Sequence, residues 1–111
     1  MDPNQLIDYY ARIRDASRRM HQLADSEQWD ELIECELGRR EEVSALRKAL
    51  QESPDSNMHP DLLRMANDCI LEILQLDQQT QSLAERWMSE LGQDLQTVNT
   101  AQRLRRTYLT A

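Results

Sequence analysis

Apolar side chains recur every three or four residues through most of this chain, and the stripes they draw break at only a few places. Leu6, Tyr9, Ile13, Ala16, Met20 and Leu23 alternate spacings of three and four, which predicts an amphipathic helix over 3–24. Asp2 followed by Pro3 supplies its N-cap and first helical residue. A second helix, over 26–52, carries Trp29, Leu32, Glu36, Arg39, Val43, Leu46 and Leu50 at its heptad positions, so its middle is polar where the pattern asks for apolar groups. A straight helical period substitutes Ile33 and Arg40 and still turns Glu36 inward. The third stripe is Leu62, Ala66, Cys69, Ile73, Leu76, Thr80, Leu83, Trp87 and Leu91; it predicts a helix over 60–91, opened by His59 and Pro60 and serving as the spine of the fold. Leu95, Val98, Leu104 and Tyr108 mark a sparser C-terminal helix over 94–109, beyond a break at Gly92.

The breaks decide how the stripes pair. Ser53, Pro54, Asp55, Ser56 and Asn57 have turn chemistry throughout. Between the first two helices there is almost no loop, and Asp25 with Gln28 has the spacing of a capping box, flanked by Ala24 and Trp29 as a hydrophobic staple. On that reading Asp25→Ala costs about 0.5–2 kcal/mol. So short a connection folds the two helices back as antiparallel neighbours. The expected fold is all-α: one domain over 1–111, an antiparallel three-helix bundle with a short mobile C-terminal helix.

Composition narrows the function. With 111 residues the chain has room for one modest core. A formal charge of −7, with six carboxylates and no base between residues 25 and 36, argues against a nucleic-acid surface. Apolar runs no longer than three residues leave no membrane-inserting segment, and the N-terminus lacks the basic and apolar regions of a signal peptide, so a cytoplasmic location is expected. Cys35 and Cys69 read as reduced, helix-packing thiols.

Catalysis has little to stand on. His21 and His59 fall on different elements, there is no glycine-rich phosphate loop, and no Cys or His spacing makes a metal site, so neither enzyme activity nor a cofactor is expected. Glu36 reads either as a structural pair with Arg40, with Asp77 in the same layer, or as a grip on a partner's cation. Leu63, Ile70, Leu74 and Met88 draw a second apolar line on the third helix, beside its core stripe. That line is either the wide edge of the core or a groove for an amphipathic helix, whether a partner's or the chain's own C-terminal segment. Arg103, Arg105 and Arg106 form a basic cluster that either suits the last turn's dipole or latches the tail to the acidic body.

The short acidic turn from Leu23 to Ile33, set between two amphipathic helices of a small acidic chain, resembles the FliT-type flagellar export chaperones. Helix order and lengths, and a terminal segment with a Tyr, are similar too. The resemblance implies an antiparallel helical bundle with a mobile C-terminal helix and no enzymatic activity. It implies a cytoplasmic type III secretion chaperone that holds the C-terminal region of the flagellar filament-cap protein before export. It further implies docking to the export ATPase and its helical accessory protein and, in some bacteria, restraint of the flagellar master transcription activator. On this chain the cap-protein site falls on Leu63, Ile70 and Leu74, with an autoregulatory tail, Val98, Leu104, Arg105 and Tyr108, competing for it. A homodimer stays open, and so does an alternative function, a self-assembling helical adaptor or regulatory coiled-coil module.

Overall fold

The computed structural model describes residues 2–52, 59–90 and 95–108, and among them every regular element is a helix: α1 (Pro3–Asp25), α2 (Trp29–Glu52), α3 (Pro60–Ser89) and α4 (Leu95–Tyr108). The turn expected over 53–57, the break at Gly92 and the place of Leu91 lie outside the described residues, as does the Leu95 side chain.

The N-terminal signals of α1 and α3 work as written in the sequence. Asp2 accepts from the Asn4 N–H at 3.1 Å while Gln5 reaches back to the Asp2 N–H, a closed capping box with Pro3 beside it. His59 Nδ1 accepts from the Asp61 N–H at 3.2 Å, capping α3 ahead of Pro60. The α1–α2 turn is built differently from expectation. Asp25 belongs to α1, and α2 begins only at Trp29, so Asp25 is not its N-cap. The turn is instead a helix stop: the Gln28 N–H reaches the Leu23 carbonyl at 2.8 Å, the Glu27 N–H reaches Ala24 at 3.1 Å, and Glu27 sits at φ 59°. That is the Schellman arrangement, with glutamate where glycine is usual.

The correction changes the mutational expectation. Asp25 is exposed at a helix C-terminus, where its charge opposes the dipole, so Asp25→Ala should leave stability within about 0.5 kcal/mol. Glu27→Gly should raise it by about 0.5–1 kcal/mol, because the left-handed backbone costs an L-residue more than glycine. Urea midpoints of the two variants test this. A loss at Asp25 with no gain at Glu27 would restore the capping box.

Packing reverses one expectation about topology. Among the described residues α1 packs on both α2 and α3, α4 packs on both α2 and α3, and the backbones of α2 and α3 do not approach one another. The spine is therefore α1, not α3. Contacts fall along α1 as they rise along α2, with Cys35 on the Ala16 carbonyl and Arg12 on Glu42; they rise together along α1 and α3, from Arg14 on Cys69 to Arg18 on Glu72.

Two apolar clusters fill the interior. One joins Met20, Leu23, Ala24, Trp29, Leu32, Ile33, Ala84, Met88, Ala101 and Leu104, and so takes in both residues of the expected staple, Ala24 and Trp29. Within it Trp29 and Trp87 stack tilted, ring centroids 5.2 Å apart. The other joins Leu6, Ile13 and Leu46, flanked by Tyr9, Tyr10, Val43 and Ile73. Both cysteines are free thiols; Cys69 is buried and Cys35 half-buried, where loss of solvent pushes the Cys35 thiol above its ordinary pKa.

Candidate functional site

The polar residues in the middle of α2 separate the two clusters as one layer. Glu36, 8% exposed, accepts from Arg40 one turn later at 2.8 and 3.1 Å, the pair expected from the sequence. Arg39 crosses from α2 to Asp77 on α3 and to the buried Ser17 hydroxyl on α1, the latter at 2.9 Å, while that hydroxyl donates to the Ile13 carbonyl. Asp77 thus shares the layer as anticipated, but its partner is Arg39. Ser17 was invisible as a layer residue, because a small hydroxyl beside an apolar stripe carries no periodic signal.

The layer also marks where α4 stops. Ala101 and Leu104 drop into the upper cluster between α2 and α3, and Leu104 is fully buried. Arg103 pairs with Asp30 at 3.1 Å and approaches Glu34 at 4.0 Å. Tyr108 ends the helix beside Arg39, Asp77 and Glu36. Its hydroxyl is buried and has no hydrogen-bond partner among the described residues, and burial holds the phenol far above its ordinary pKa. The sign follows from linkage. An unfolded tyrosine ionises near about pH 10, so the docking of Tyr108 is fully stabilising below that pH and is lost as pH rises from there through the raised folded value. Tyr108→Phe should remove this alkaline loss and, by deleting an unpartnered hydroxyl, leave neutral stability unchanged or slightly higher. Urea midpoints at neutral and alkaline pH check both parts.

Beyond Tyr108 no described element lies over the space between α2 and α3, and α1 forms its floor. Here stand the residues named from the sequence. Leu63 is 50% and Leu74 61% exposed, with Ile70 half-buried between them. At 100° per residue the three fall within about 40° of one another, on the side of α3 that carries Asp77, Ala84 and Met88. They therefore continue the line on which α4 rests, with Leu63 and Leu74 exposed and Ile70 half-buried.

The four tail residues named from the sequence lie in different surroundings. Leu63 and Leu74 are exposed with α4 in place, so the described part of the tail leaves them uncovered. Leu104 is a core residue rather than a loosely held one, Tyr108 is half-buried at the layer, Val98 is 37% exposed and Arg105 is exposed. Arg103 meets the acidic body at Asp30 and Glu34. The described part of α4 ends at Tyr108 beside Asp77, about one turn short of Leu74 on α3.

Among the described residues no helix is long and apolar enough to cross a membrane, and no three His, Cys, Asp or Glu side chains converge as a metal site requires. The model of one family, described as flagellar protein FliT, matches residues 7–110, so the chain belongs to the FliT family. No curated protein and no solved structure matched the chain.

Proposed function

We propose that this chain is a cytoplasmic flagellar export chaperone built as an antiparallel helical bundle, and that the groove edged by Leu63, Ile70 and Leu74 holds the C-terminal region of the filament-cap protein until export. The observation that carries the reading is the exposure of two large leucines in line with a helix-filled groove, in a chain of the FliT family. Apolar surface of this kind suits an amphipathic helix, and covering such a helix on a polymerising subunit prevents premature assembly. Docking to the export ATPase and its helical accessory protein, and restraint of the master transcription activator, accompany the same reading, without enzymatic activity or a cofactor.

The tail has a different part from direct competition. A client helix longer than the open half meets α4 end-on at Tyr108, so α4 limits how far a client extends and must lift for a longer one.

Leu63→Ala combined with Leu74→Ala should leave the thermal melt nearly unmoved, since both side chains are half-exposed or more. Affinity for the purified C-terminal region of the cap protein should fall about tenfold or more, the loss of roughly 1.4 kcal/mol of contact. An intact fold with unchanged affinity would remove these residues from the site. If the chain alone scatters light as a dimer and the double variant as a monomer, the groove serves self-assembly, the adaptor reading.

A further inference from the structure

We propose that the chain is built as two cooperative units divided at the layer of Arg39 and Asp77, and that the half below the layer opens as a unit while the half above it stays folded. The lower unit takes in residues 3–13 of α1, 40–52 of α2 and 60–74 of α3. The inference goes beyond the chaperone reading and stands without it.

The two halves are held by unequal means. Among the described residues the large apolar side chains that are fully buried, Met20, Leu32 and Leu104, all lie above the layer. There Trp29 stacks on Trp87, and α4 ties α2 to α3 by seating Ala101 and Leu104 in the cluster that both helices line. Below the layer the buried apolar side chains are Leu6, Ile13, Leu46, Ala66 and Cys69, two of them small. No described element bridges α2 to α3 there, and the backbone of each arm approaches only that of α1. The polar ties to α1 are Arg14 on the Cys69 sulfur and the exposed ion pairs of Arg12 with Glu42 and Arg18 with Glu72, which contribute little.

Apolar surface is left over on the same side. Leu50, Leu63, Met65, Leu71 and Leu74 are exposed below the layer, whereas above it Val98 is the one large apolar side chain so exposed among the described residues; Leu37 stands beside the layer. Burial of apolar area is the main force that keeps a helix docked, so the lower arms are held by less of it. Arg39, reaching Asp77 and Ser17, interrupts the apolar interior, and the two clusters share no side chain. Opening below the layer therefore takes no apolar contact from the upper cluster, the condition for a local unit that unfolds before the whole. The half that carries the exposed leucines is then the half that changes shape, with α4 docked on the half that does not.

Hydrogen exchange of the full chain, in a urea series kept below the unfolding midpoint, tests the proposal. Amides of Leu46, Ala66 and Ile73 should be less protected, by about tenfold or more, than those of Leu32, Ala84 and Met88, and their opening should depend less steeply on urea because it exposes less surface. Two conservative variants separate the units. Ile33→Val weakens the upper cluster, which is lost only when the whole chain unfolds; it should speed exchange of the upper amides about three- to tenfold and leave the lower amides unchanged. Ile13→Val weakens the lower cluster, which is lost in both openings, and should speed both sets of amides by one common factor. Equal protection of the two sets with one urea slope would overturn the proposal. So would upper amides that open first, Ile33→Val speeding both sets alike, or Ile13→Val leaving the lower amides unchanged.

Discussion

Leu104→Ala is expected to destabilise the fold by about 2–5 kcal/mol, the range for truncating a fully buried leucine whose surroundings cannot collapse. Leu104 has Leu32, Ile33, Ala84 and Met88 for neighbours in its cluster, contributed by α2 and α3, and α1 closes the same cluster with Met20 and Leu23. A void there is walled by three helices at once. Truncation after Asn99 should go further, because Ala101 is buried as well and the apolar surface of the upper groove would be bared to water. Urea unfolding of the point variant measures the first effect, and dye binding by the truncated chain the second. An unchanged midpoint would mean that α4 rests on the bundle without belonging to its core.

Arg39→Met should produce the second large loss, about 2–4 kcal/mol, by leaving Asp77 facing a partly buried layer without its cation and Ser17 without its donor. The cost is one of stranding rather than of lost attraction. Asp77→Leu introduced beside Arg39→Met should accordingly recover at least half of it, since an apolar pair of similar size replaces a buried ion pair at little net cost. A thermodynamic cycle over the two single variants and the double variant isolates the coupling. If Arg39→Met alone shifts stability by less than about 0.5 kcal/mol, the layer does not hold the helices in register.

Much of this architecture was legible in the residues, and the misses have a common cause. Helix signals that act within one turn, Asp2 with Pro3 and His59 with Pro60, gave the starts of α1 and α3 correctly. Asp25 and Gln28 misled because a capping box and a Schellman stop use polar residues at similar spacing; what separates them is the backbone angle at Glu27, which side-chain type does not encode when the residue is not glycine. Glu36 facing inward could be read from periodicity, and so could its pairing with Arg40, because both lie on one helix. That Arg39 reaches Asp77, and that α1 rather than α3 is the spine, depend on which helices pack together, and the stripes alone do not set that. Leu63, Ile70 and Leu74 could be read as a line, but how exposed that line is depends on how far α4 runs. The sparse stripe of α4 understated its burial, since the small Ala101 contributes nothing to an apolar pattern yet lets the helix approach closely.

On the proposed function a client occupies the space below Tyr108, between α2 and α3. Hydrogen–deuterium exchange of the full chain, with and without the C-terminal region of the filament-cap protein, tests it most directly. Amides on α3 around Leu63 to Leu74 and on α2 around Arg40 to Leu50 should gain protection as client is added. Protection confined to other faces of the helices, or none in these two stretches at saturating client, would contradict it.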